Sequence, residues 1–190
     1  MLKALFRRGS SKPLTLTDAM AALDRSAPSL KTALDANYTG RAAVLARPAD
    51  GQATVLLRRD IEDALRTGEG MYGVSHGTEV DDKACVWVVV RGESLAELVR
   101  GARLAMEALT KRGLGERVVA GVFPLTMGGQ PVYLLLQRRI GRFTPFAPMT
   151  IGENQVRDVS FEAQIERRVR KLLPTEPDRR EWYPIWGAPV

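Results

Sequence analysis

The side chains able to do chemistry are few and scattered. His76 is the single histidine of the chain and Cys85 the single cysteine. A thiolate–imidazole pair would need both side chains to meet in space, with the thiol exposed and activated. Yet Cys85 sits inside the apolar run Ala84-Cys85-Val86-Trp87-Val88-Val89-Val90, and His76 in a glycine-rich connection. A zinc site needs about four N, S or O ligands at suitable spacing, and no such cluster occurs. Glu79, Asp81 and Asp82 are the one local group of carboxylates. Acid–base or cation chemistry there competes with a plainer role, because aspartate tolerates tight-turn geometry between two strands. Gly68-Glu69-Gly70 and Gly128-Gly129 lack phosphate-loop and dinucleotide spacing. No catalytic residue, metal site or cofactor is expected, and the side chains point to action by contact.

The elements that position these residues follow from pattern. A helix is expected from about Thr17, with Met20 and Leu23 inward, stopping before Pro28 because proline lacks a donor and crowds the preceding turn. Residues 29–38 are ambiguous between a helical turn and a strand. Arg41 to Arg47 reads as a strand closed by Pro48-Ala49-Asp50-Gly51, a turn signal. Residues 53–66 place Val55, Ile61 and Leu65, with Leu57 or Ala64, at helical spacing. Glycines at 68, 70, 73 and 77 make a loose connection, and a hairpin follows that turns at Asp81-Asp82-Lys83.

The run from Ala84 to Val90 does not alternate, so both of its faces are expected to be covered. Helices can cover one face; the C-terminal tail, a second subunit or a partner could cover the other. Ser94 and Glu97 form an S-x-x-E capping box ahead of the stripe Leu95, Leu98, Val99, Ala102, Met106 and Leu109. Strands near 117–125 and 131–138 are joined at Gly128-Gly129, a hairpin signal. A last helix is expected from about Ser160 to Leu173, burying Phe161, Ile165, Val169 and Leu172. The fold class is therefore α+β, with a mainly antiparallel sheet flanked by helices. Its organisation is a basic amphipathic arm over residues 1–13, a single domain over 14–174 and an aromatic, proline-rich tail over 175–190, expected to dock on the domain.

Length and charge bound the rest. The 190 residues suit one core, and the formal net charge is +6. No apolar run approaches the roughly 20 residues of a helical membrane span, so a cytoplasmic location is expected. The arm places Met1, Leu2, Leu5 and Phe6 opposite Lys3, Arg7 and Arg8. That suits an anionic membrane surface, where each basic residue adds about 1 kcal/mol. The membrane-contact candidates are Leu2, Lys3, Leu5, Phe6, Arg7 and Arg8. The second basic cluster is Arg167, Arg168, Arg170 and Lys171, which one solvated helix face would also explain. Two of the three tryptophans lie in the tail. Trp182, Tyr183 and Trp186, with that basic cluster, are the candidates for partner contact. Nucleic acid is a weaker reading, since the aromatics lie in expected strands or beside prolines and no recognition motif occurs.

Several segments together resemble the PspA-associated protein PspAB family of bacteria. They are Met1-Leu2-Lys3-Ala4-Leu5-Phe6 with the basic residues after it, Tyr38-Thr39-Gly40-Arg41-Ala42, Trp87-Val88-Val89-Val90-Arg91, Pro131-Val132-Tyr133-Leu134, Phe143-Thr144-Pro145-Phe146-Ala147-Pro148, Glu176-Pro177-Asp178 and Trp182-Tyr183-Pro184-Ile185-Trp186-Gly187-Ala188-Pro189. The resemblance implies an accessory role in envelope stress without established catalysis. The implied partner is a PspA-like coiled-coil protein at the inner membrane, approached from its cytoplasmic side. The element order also resembles the type III secretion chaperone-like (YbjN-like) fold, which binds other proteins, often as a dimer. That likeness implies a chaperone-like adaptor or homodimer as the alternative.

Overall fold

A computed structural model of the chain describes residues 15–48, 54–66 and 74–190. The arm over 1–13, the Pro48-Ala49-Asp50-Gly51 turn beyond Pro48, and Gly68, Gly70 and Gly73 lie outside the described residues, as does the side chain of Ala64.

Helix α1 (Leu16–Leu34) opens on a capping box: Thr15 Oγ1 accepts the Asp18 N–H and the Asp18 carboxylate accepts the Thr15 N–H, each at 3.1 Å. It runs through Pro28 instead of stopping before it. Proline there costs one backbone bond, but the apolar stripe runs across it from Ala27 to Leu30 and Leu34, all buried. Each such leucine contributes about 1.5–3 kcal/mol on burial, so packing outweighs the local penalty. The helix ends at Asp35, whose φ of 50° is left-handed.

β1 (Ala36–Tyr38) and β2 (Arg41–Ala46) both pair with β5 (Val118–Met127). They act as one strand interrupted at Gly40, where φ is +75°. α2 (Thr54–Arg66) buries Leu57, Ile61 and Leu65, whereas Val55, expected inward, is 76% exposed. β3 (Ser75–Val80), β4 (Val86–Arg91), β6 (Gln130–Gln137) and β7 (Arg142–Phe146) complete an antiparallel seven-stranded sheet in the order β3-β4-β2-β5-β6-β7, with β1 beside β5. The β5–β6 turn places Gly128 at φ +55° and Gly129 at φ +83°, the two positive values that a type I′ hairpin turn requires. A separate hairpin, β8 (Pro148–Ile151) with β9 (Asn154–Arg157), leads to α4 (Val159–Val169).

α3 (Leu95–Lys111) carries its expected stripe on the buried side. Ser94 caps Glu97 N–H at 3.2 Å, but the reciprocal Glu97 carboxylate reaches the Glu93 N–H at 2.7 Å, one residue earlier than a strict capping box. That bond holds the Glu97 carboxyl below its ordinary range. α4 starts on Asp158, which accepts the Phe161 N–H at 2.9 Å. It ends at Val169, short of the expected Leu173, and Leu172 is only partly buried against the core.

The sheet is covered on both faces. Val86, Val88 and Val90 of β4 face the helices with Val44, Phe123 and Leu134. Cys85, Trp87 and Val89 point the other way, together with Leu45, Leu135 and Phe146. Ile185, Trp186, Ala188 and Val190 pack on this second face. The chain after α4 also closes the β7 edge. Phe143 N–H donates to Pro174 O at 2.9 Å, and Glu176 N–H donates to Phe143 O at 3.0 Å.

Candidate functional site

Two features of the surface come from residues singled out in the sequence, and a third, buried feature does not. The first is the C-terminal segment on the second face of the sheet. Trp182 is 4% exposed and its indole N–H donates to Glu176 O at 2.8 Å, so this ring is an internal anchor. Trp186 sets its ring edge-on to Phe146 with centroids 4.8 Å apart, and Phe146 stacks on Tyr133 at 5.7 Å. Tyr183 is 53% exposed under the Arg139 guanidinium, which lies 5.2 Å from its ring centroid. Arg139 also pairs with Glu181, which raises the arginine's pKa. Of the three tail aromatics, Tyr183 presents the most open surface.

A second feature is the basic end of α4. Arg167, Arg168, Arg170 and Lys171 are all exposed. None forms an ion pair with another described residue. Arg167 and Arg168 lie in the last helical turn, where cations complement the helix dipole.

The third is a network that sequence reasoning missed. Glu162 is wholly buried, and its carboxylate accepts Arg157 Nε at 3.0 Å, Arg157 Nη2 at 2.6 Å and the Ala147 N–H at 3.0 Å. The remaining Arg157 nitrogen, Nη1, donates to Trp182 O. One guanidinium thus ties β9 and α4 to the first residue of the aromatic stretch. The available signal was position: Glu162 falls three and seven residues before Ile165 and Val169, on the same inward stripe.

A groove of about 500 Å³ remains between the C-terminal segment and the sheet, lined by Leu45, Cys85, Trp87, Ile185 and Trp186 among others. Asp81 is among its lining residues. Its carboxylate accepts the Lys83 N–H at 3.0 Å, the Cys85 N–H at 2.8 Å and the Trp87 indole N–H at 2.9 Å. Asp81 therefore builds the β3–β4 turn, and Glu79 and Asp82 stand exposed around it. Among the described residues no group of three or more His, Cys, Asp or Glu side chains is arranged to hold a metal ion.

His76 and Cys85 lie on opposite faces of the sheet. His76 is paired in register with Val90 and its Nε2 is 3.2 Å from Gly101 O on α3, whereas Cys85 belongs to the apolar cluster under the C-terminal segment. They cannot act as a pair. The candidates Leu2, Lys3, Leu5, Phe6, Arg7 and Arg8 lie outside the described residues. No described helix is long and apolar enough to cross a membrane.

No curated protein and no solved structure matches this chain, so the likeness to the chaperone-like fold rests on the order of strands and helices alone. The family model PspAB, described as PspA associated protein B, matches residues 1–190. The chain belongs to that family and its role is linked to PspA.

Proposed function

We propose that this protein is a non-enzymatic accessory of the PspA-linked envelope stress response, acting by binding a PspA-like coiled-coil protein on the cytoplasmic face of the inner membrane. The observation that carries this reading is the exposed basic end of α4, where Arg167, Arg168, Arg170 and Lys171 have no ion-pair partner among the described residues. Two open cations in the last turn of α4 and two just beyond it suit an acidic helical surface, and they would steer its approach. Tyr183, open beside Arg139, supplies an aromatic contact of the kind enriched at interfaces. The basic amphipathic arm adds a weak second contact with anionic lipid. A segment so short is marginal as a helix in water, so the arm alone does not anchor the protein.

Co-purification from membrane-stressed cells tests this. Tagged protein recovers a PspA-like coiled coil, and deletion of residues 1–12 removes vesicle binding while leaving partner recovery intact. Repeated failure to recover that partner refutes the reading.

A second reading, a dimeric adaptor without a membrane role, is favoured by β3. Its outer edge has no strand partner among the described residues, and such edges invite pairing with another chain. A solution mass of two chains, together with no binding to anionic vesicles, would favour it.

A further inference from the structure

The groove beneath the C-terminal segment has a polarity of its own. Register places the end of β2, the start of β4, the start of β5 and the end of β6 at one end of the sheet: Ala46 opposes both Val86 and Val118, and Ala120 opposes Gln137. Three cations that line the groove, Arg47, Lys83 and Arg139, lie within three residues of those strand ends. Leu45, Trp87, Ile185 and Trp186 supply apolar lining to the same groove.

Its polar groups are largely spent inside the protein. The Asp81 carboxylate and the Trp87 indole satisfy one another. The Gln137 amide donates to Thr144 Oγ1 at 2.9 Å and lies 3.4 and 3.5 Å from the Glu181 and Tyr183 carbonyls. Arg139 is held by Glu181. Arg47 and Lys83 are exposed and in no ion pair among the described residues. What the groove offers a ligand is apolar surface plus two open cations.

An extended peptide suits this poorly. The floor is the face of a sheet whose strands are already paired, and an incoming backbone would find few partners for its N–H and C=O groups. A hydrocarbon chain makes no such demand. The volume, about 500 Å³, is within the range of small-molecule sites. We infer that this groove is a binding site for a single-chain apolar acid, its hydrocarbon against Leu45, Trp87 and Ile185 and its carboxylate at Arg47 and Lys83. This reading goes beyond PspA binding, although Tyr183 of the proposed PspA contact also lines the groove, and extends the protein's role to sensing or carrying an amphiphilic anion.

Cys85 lines the groove and is the only thiol in the chain, so it reports occupancy. The test titrates the full-length protein with dodecanoate below its micelle concentration and follows the reaction of Cys85 with a thiol reagent. Dodecanoate should slow that reaction and saturate at one acid per chain. Charge reversal at the mouth (R47E with K83E) should weaken the apparent affinity about tenfold, the size expected for two exposed ion contacts. Reversal elsewhere (R25E with K31E on α1) should leave it unchanged. The inference is overturned if protection does not saturate, if dodecyltrimethylammonium protects equally, or if R47E with K83E binds as the parent does.

Discussion

Arg157 grips Glu162 with two nitrogens, at 3.0 and 2.6 Å, and gives its third to the Trp182 carbonyl. A carboxylate with no solvent exposure has that fork as its ion-pair partner. Removing one partner of such a pair strands the other, at a cost of about 3–5 kcal/mol. Arg157→Ala should therefore lower unfolding stability by that amount in a denaturant titration. The paired replacement of Arg157 by Met and Glu162 by Leu should cost much less, because no charge is left alone. Equal losses in both variants would show that packing, and not the ion pair, dominates.

Gly101 is the second pressure point. A Cβ there would lie 2.5 Å from Val90 Cγ1 and 3.2 Å from Val74 Cγ2. Alanine would gain about 1 kcal/mol of helix propensity, yet overpacking of this kind costs about 1–3 kcal/mol, and both neighbours are buried. Gly101→Ala should thus destabilise by up to about 2 kcal/mol, read as a lower unfolding midpoint with an unchanged slope.

The aromatic segment shields the thiol beneath it. Trp186 packs on Phe146 and, with Cys85, lines the groove. Trp186→Ala should cost about 1–3 kcal/mol and accelerate Cys85 modification in the native state. An unchanged rate would mean that the shield lies elsewhere.

Tyr38 ties stability to alkaline pH. Burial pushes its pKa from 10.0 to about 12, and its hydroxyl donates to Ala27 O at 3.0 Å. Between those values the unfolded chain has released the proton and the folded chain has kept it. The tyrosine's contribution is therefore complete below pH 10 and declines as pH rises through about 12. Denaturation at pH 9 and pH 11 should show a smaller alkaline loss for Tyr38→Phe than for the parent.

What was legible in the sequence is what local pattern controls. Non-alternation in Val86–Val90 foretold a strand covered twice, and the Leu95–Leu109 stripe foretold a helix on one face. Gly128-Gly129 foretold a hairpin turn, because few other residues accept two positive φ values in succession. Pro28 misled because its penalty is local, whereas the packing that overrides it comes from elements far along the chain. Glu162 went unmarked because a buried charge is visible only with its partner in place. The sequence left three candidates for the second face, and contacts spanning much of the chain put Ile185, Trp186 and Val190 there. His76 and Cys85 are nine positions apart in sequence, yet the pleat sends them to opposite faces.

The central claim is direct contact with PspA through the basic end of α4. Sedimentation of the purified full-length protein with purified PspA measures it. The account predicts a co-sedimenting complex that weakens when Arg167, Arg168, Arg170 and Lys171 are reversed to Glu, and that weakens further as salt rises. Independent sedimentation of the two proteins, or a complex indifferent to those four reversals, would contradict it.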